Sequence, residues 1–155
     1  MKFSAREDIE APIDHVFERA SDFAGFERSA MRRGADVQRL DAGTTAGVGS
    51  TWKVAFDFRG RRRDVTAKIV SFDPPNGFAA EATSGGLDSI TTLELLPLSP
   101  RRTRMSFAIE LKPTSLSARL MLQSLKLAKQ SLSKRFKKRV AEFAQDIEDR
   151  HRKAG

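Results

Sequence analysis

The chain reads as an α+β protein in which an antiparallel sheet of about seven strands curves around one long C-terminal helix. Three observations predict this. A Pro- and Gly-free run over residues 114–153 places Ala118, Met121, Leu122, Leu125, Leu132, Phe136, Val140, Phe143 and Ile147 at steps of three and four, which is one stripe of a helix. Residues 1–112 alternate instead with period two between turn signals. The connections between these alternating segments are hairpin-length, which antiparallel neighbours use and parallel ones cannot. So long an apolar stripe needs a large apolar partner, and the sheet is the one candidate.

In order, residues 2–10 make a first strand with Phe3, Ala5, Glu7 and Ile9 on one face. Ala11-Pro12 ends it, and Pro12 is placed to start a short helix through Ile13, Val16, Phe17 and Ala20. A second short helix around residues 23–31 follows. Residues 35–41 form a weak strand, and the three glycines of 42–50 mark a turn-rich loop. The clearest strand comes next, with Trp52, Val54, Phe56 and Phe58 alternating against Lys53, Ala55, Asp57 and Arg59. Gly60-Arg61 turns into 63–72, and Asp73-Pro74-Pro75-Asn76-Gly77 turns into 78–83. Gly85-Gly86 leads into 87–96. The last strand alternates Met105, Phe107, Ile109 and Leu111 with polar neighbours, and Pro113 closes it before Thr114 or Ser115 caps the helix.

At 155 residues the chain is expected to fold as one domain, 1–155, with no Gly/Ser/Pro-rich linker dividing it. It holds no cysteine, which excludes disulfides, thiolate nucleophiles and Cys-based metal sites. It holds two histidines, His15 and His151, far apart in sequence and without metal-ligand spacing, and both are read as solvated. No cofactor or metal is expected. The glycines of 43–49 have the wrong spacing for a phosphate loop and run into a strand rather than a helix. No hydrophobic leader or run of about 18 apolar residues is present, so a cytoplasmic protein is expected.

The net charge of +8 is divided unequally, with +1 in residues 1–113 and +7 in 114–155. Between Glu110 and Glu142 there is no acid, so the helix cations there lack i,i+4 partners.

The order strand, two short helices, six strands, long helix resembles the helix-grip fold of the START-like superfamily, also called SRPBCC or Bet v 1-like. I-E-A-P-I-D-H-V-F from Ile9 to Phe17 resembles that family's opening strand and first helix start. G-V-G-S-T-W from Gly47 to Trp52 resembles its glycine turn into a strand, and F-D-P-P from Phe72 to Pro75 its mid-sheet turn. The chain departs from it at Phe17, where Trp is common, and in its basic helix. The resemblance implies an apolar cavity between sheet and helix that takes a lipid, quinone or aromatic polyketide-like molecule. It covers carriers and polyketide cyclases alike.

The residues themselves offer a candidate ligand site. Trp52, Phe56, Phe58, Phe78 and Phe107 form an aromatic ladder, Met121 and Leu125 face it from the helix, and Ala67, Ala80 and Ala82 leave space on the same concave face. Two charged residues fall where the pattern wants apolar ones: Lys129 between Leu125 and Leu132, and Glu7 between Ala5 and Ile9. Lys129 at a cavity mouth would pair with an acidic or carbonyl group of the ligand.

Binding or transport of a small hydrophobic ligand is therefore the first expectation. A cyclase/dehydratase-type enzyme using Glu7 or Lys129 is the alternative, disfavoured by the scarcity of acid–base residues on the apolar faces. A second alternative sets the outer Leu116, Leu120, Leu127, Lys134 and Lys138 against an anionic membrane surface. Nucleic acid ranks last as a partner, because no aromatic interleaves with the cations.

Overall fold

The computed structural model describes residues 1–41 and 45–154; part of the 42–50 loop, at 42–44, lies outside the described residues. The elements run β1 (Lys2–Ile9), α1 (Ile13–Ala20), α2 (Phe23–Arg32), β2 (Asp36–Arg39), β3 (Thr51–Phe58), β4 (Arg61–Asp73), β5 (Gly77–Ser84), β6 (Leu87–Ser99), β7 (Arg102–Pro113), α3 (Leu116–Lys126) and α4 (Lys129–Ala154). The seven strands form one antiparallel sheet in the order β1-β7-β6-β5-β4-β3-β2, as the alternation predicts. The N-terminal strand thus pairs with the last strand, and α1 and α2 carry the chain from one edge of the sheet to the other.

Pleating divides each strand into an inward and an outward set. Phe3, Ala5, Glu7 and Ile9 face inward from β1, while Thr103, Met105 and Phe107 do so from β7, with Ile9 opposite Thr103 and Glu7 opposite Met105. A register shift between Ile69 and Ser71 bulges β4 and adds to the curvature. The core sits where α1 and α4 meet this surface: Ile9, Val16, Leu93, Met105 and Ile147 are at most 1% exposed. Thr103 is buried beside them, and its hydroxyl donates to the Ala11 carbonyl at 2.8 Å, so burial leaves no orphan donor.

The C-terminal segment is two helices rather than the one expected. Ser124 Oγ donates back to the Met121 carbonyl at 2.7 Å, a contact that competes with the helical ladder and bends it. The Ala128 amide then bonds the Leu125 carbonyl, three residues back, before α4 resumes. The bend sends the two helices to different partners: α3 packs beside the end of β7, and α4 runs along β1. Ser115 caps α3 by accepting from the Ala118 amide. It rests against Gly86, whose φ of 83° and lack of a side chain make room: a Cβ there would lie 2.3 Å from Ser115 Oγ. Thr114 donates to the Gly86 carbonyl from the same turn.

This packing sets the cost of disturbing either face of the sheet. Ile147 is the deepest side chain that α4 contributes, so Ile147→Ala lowers unfolding free energy by about 2–5 kcal/mol through lost burial and a cavity, measured by urea denaturation. On the outer face, Asp8 accepts from Arg104 Nε at 2.9 Å. That bond outweighs the opposing desolvation and, with the Coulombic pull of Arg104, Arg102 and Arg6, holds the Asp8 carboxyl below the ordinary range. Its contribution is complete above the ordinary Asp value of about 4 and disappears as pH falls through the depressed one. Asp8→Asn therefore slightly lowers the denaturation midpoint at pH 7, and the two proteins converge at low pH.

Candidate functional site

The chief feature of the concave face is a cavity of about 570 Å³. It exists because α4 packs chiefly along β1 at one edge of the sheet, while β3, β4 and β5 are met from α1 and α2 by the rings of Phe17 and Phe23. Small residues deepen the gap: Ala67 on β4 and Ala80 on β5 line it, each beside an aromatic or branched neighbour across the sheet. Trp52, Ile69 and Phe78 form the sheet-side wall, Phe136, Val140 and Phe143 the α4 wall, and Phe23 and Phe26 of α2 the end.

Aromatic contacts fix these walls. Phe23 lies 5.4 Å from Trp52 and 5.2 Å from Phe78, ring centre to ring centre, and Phe136 sits 6.0 Å from Phe107 and 6.1 Å from Phe3. Phe26 and Phe143, 6.0 Å apart, join α2 to α4 across the rim. Phe26 and Arg139 are the exposed side chains of the lining, so the cavity meets solvent between α2 and α4.

Three lining residues carry polar side chains besides the indole: Glu27, Thr91 and Arg139. The Trp52 Nε1–H donates to Glu27 Oε1. Arg39, the register partner of Trp52 on β2, places its guanidinium carbon 5.7 Å from the indole centroid. A hydrogen bond to Asp41 raises the Arg39 pKa above its ordinary value against a desolvation cost, with smaller Coulombic help from Asp41 and Glu27. The indole is thus held between a carboxylate at its N–H and a cation over its face.

Of the residues singled out from the sequence for this site, Trp52, Phe78 and Phe107 line the cavity together with Ala67 and Ala80, whereas Phe56, Phe58, Met121, Leu125, Lys129, Glu7 and Ala82 are not among its described lining. Phe56 lies on the inward face of β3 beyond the lining, opposite Arg63, whose Nε is buried without a hydrogen-bond partner. Phe58 is 46% exposed at the strand's tip. Met121 and Leu125 belong to α3, which the bend turns away from the cavity. Lys129 is exposed at the first position of α4, on the solvent side of that bend, and does not enter the cavity. Glu7 lines a separate, more polar hollow of about 660 Å³ with Lys2, Arg6, Glu94 and Lys137.

Sequence reasoning missed Glu27 and Arg139, although a signal was present. Phe23, Phe26, Glu27 and Ala30 share a helical face at i, i+3, i+4 and i+7, and Phe136, Arg139, Val140 and Phe143 repeat the pattern. The two histidines, read as solvated, are half-buried where α1 meets α4, their rings tilted to each other with centres 4.9 Å apart and His15 Nε2 3.1 Å from the Ile147 carbonyl oxygen. They lie outside the cavity lining. No group of three or more His, Cys, Asp or Glu residues among those described is arranged to hold a metal.

A curved antiparallel sheet gripping a C-terminal helix, with an apolar cavity between them, defines a helix-grip protein of the START-like, Bet v 1-like class. The chain belongs to the family described as polyketide cyclase/dehydrase and lipid transport, whose model matches residues 1–148. Its fold is similar to that of the Zhui aromatase/cyclase from Streptomyces sp. R1128, at 17% identity and TM-score 0.69 over 100% of this chain and 98% of that one. It is also similar to TTHA0849 from Thermus thermophilus, at 15% identity and TM-score 0.66 over 95% and 97%. Norcoclaurine synthase from Thalictrum flavum matches at 13% identity and TM-score 0.66 over 96% and 84%. No curated protein matches the sequence. Membership of this family supports hydrophobic-ligand binding or cyclase chemistry.

The Glu27–Trp52 contact makes its own prediction. Glu27→Ala strips the acceptor from a buried indole N–H and lowers stability by about 1–3 kcal/mol, while Glu27→Gln, whose amide oxygen still accepts, recovers most of it. Urea denaturation followed by the emission of Trp52, the sole tryptophan, measures both.

Proposed function

We propose that this protein binds and carries a small hydrophobic molecule of the lipid, quinone or aromatic polyketide class in the cavity between β3–β7 and α4. The supporting observation is the composition of the lining: among the described residues around a space of about 570 Å³, Glu27, Thr91 and Arg139 are the polar side chains besides the Trp52 indole. That volume falls in the range of ligand pockets, and a few polar groups on an apolar wall orient a ligand rather than solvate it. Glu27 is engaged by Trp52 and Arg139 stands exposed at the rim, so the ligand's apolar body lies against Phe78, Phe107 and Phe136 with an acidic or carbonyl group toward Arg139.

Mass spectrometry of an organic extract of the purified protein tests the carrier reading directly: a stoichiometric apolar compound is expected. Titration with that compound, or with a long-chain fatty acid as probe, changes Trp52 emission saturably. Ala80→Phe, which fills the middle of the cavity, abolishes the change while leaving the fold intact. Arg139→Gln weakens a carboxylate-bearing probe by about tenfold and its methyl ester little, the loss of one charge-assisted hydrogen bond. An empty extract together with the same fatty-acid response in the Ala80→Phe protein overturns the proposal.

One observation favours the cyclase/dehydratase reading as second choice: Glu27 is the single carboxylate among the described lining residues, beside the Trp52 indole against which a substrate would lie. Turnover of a poly-β-ketone substrate that vanishes in Glu27→Gln, with Trp52-detected binding retained, would put the enzyme first.

A further inference from the structure

The β3–β4 and β5–β6 turns and the C-terminus of β7 lie at one end of the sheet, and α3 sits there with a bare apolar face. Leu116, Leu120 and Leu127 are 73%, 57% and 93% exposed. They fall within about 40° of one another around the helix at 3.6 residues per turn. The residues on the opposite side, Ala118 and Leu122, are the ones this helix buries. The leucine line is therefore a second apolar face, turned outward. Arg119 and Lys126 flank it along one side, and exposed Lys129 follows at the bend. Phe58, 46% exposed, stands at the tip of β3 at the same end, with the Arg59 guanidinium carbon 5.5 Å from its ring centroid.

Charge decides what such a face fits. From Glu110 to Glu142 the chain carries nine cations and no acid between those two residues. A second copy of this chain would set like charges against each other. A nucleic-acid backbone would neutralise the cations yet leave the leucines in water. An anionic bilayer satisfies both, because its acyl boundary takes the leucines while its headgroups take the lysines and arginines. No helix among the described residues is long and apolar enough to cross a membrane.

We propose that α3 and the bend that follows it form a docking surface for an anionic lipid bilayer, with Leu116, Leu120 and Leu127 inserted at the headgroup boundary and Arg119, Lys126 and Lys129 at phosphate level. This surface is separate from the cavity and does not rest on the carrier reading.

Co-sedimentation of the full chain with phosphatidylcholine vesicles, with and without phosphatidylserine, tests it. Binding to the phosphatidylserine vesicles is expected, lost at high salt, and absent from phosphatidylcholine alone. The triple change Leu116→Ser, Leu120→Ser, Leu127→Ser weakens binding at least about tenfold, since three exposed leucines lose their apolar burial. Lys126→Gln and Lys129→Gln each weaken it about fivefold. All variants keep the wild-type thermal melt and Trp52 ligand response, which separates failure of this surface from failure of the cavity. No binding to anionic vesicles overturns the proposal. So does binding indifferent to the leucines, which is charge adhesion alone; so does leucine-dependent self-association in sedimentation velocity, or duplex DNA binding that depends on the lysines and not the leucines.

Discussion

The structure depends on an unequal match between one helix and one sheet. A seven-stranded antiparallel sheet presents far more inward apolar surface than a single helix stripe covers. Because α4 settles along β1, where Val140, Ala144 and Ile147 reach the core, the strands farther from that edge meet the rings of Phe17 and Phe23 from α1 and α2 rather than α4 packed directly upon them. Twist and the β4 bulge then carry those strands around toward α4 instead of laying them flat against it. The cavity is the space this mismatch leaves, and α2 closes its end with Phe23 and Phe26.

Side-chain size keeps the space open. Ordinary cores interdigitate to crystal-like density, and large residues at Ala67 and Ala80 would produce such a core here. Alanines opposite Trp52 and Ile69 instead define a volume with firm walls: Phe23, Trp52 and Phe78 brace one another on one side, and Phe3, Phe107 and Phe136 on the other. Rings held in tilted and edge-on pairs resist collapse better than flexible aliphatic chains. The Trp52–Glu27 hydrogen bond adds a directional constraint to the same wall, because the indole cannot turn without abandoning its acceptor.

How much of this was legible in the sequence follows from what each pattern encodes. Period-two alternation states which face a residue takes, so the seven strands and the inward direction of Trp52, Phe78 and Phe107 could be read directly. It says nothing of distance along a strand from the covering helix. Phe56 and Phe58 share the phase of Trp52 yet fall outside the cavity for that reason. The helix break was invisible because it contains neither Pro nor Gly and the stripe keeps its phase from Leu122 to Val140; only the side chain of Ser124, bonding backward, marks it. That break removes Met121, Leu125 and Lys129 from the cavity. Arg139 and Glu27 take the polar roles because each lies one turn from phenylalanines, Arg139 on the stripe read from the sequence and Glu27 on α2, for which no stripe was read.

The charge on α4 runs against the helix's own electrostatics. A helix N-terminus carries partial positive charge and favours acids in the first turn, with cations toward the end. Here the first turn holds no acid, and Lys129, Lys134, Arg135, Lys137, Lys138 and Arg139 all precede the first carboxylate at Glu142. The i,i+3 and i,i+4 pairs that relieve such crowding, Arg152 with Asp149 and Arg150 with Asp146, lie in the last turns. Burial of Val140, Ala144 and Ile147 therefore holds the helix against repulsion in its first half. The cations of the first turns and the leucines that face water on α3 are thus carried by the buried stripe rather than contributing to it. The repulsion it must outweigh is modest, because Lys134, Arg135, Lys137, Lys138 and Arg139 are all exposed and screened by water and salt.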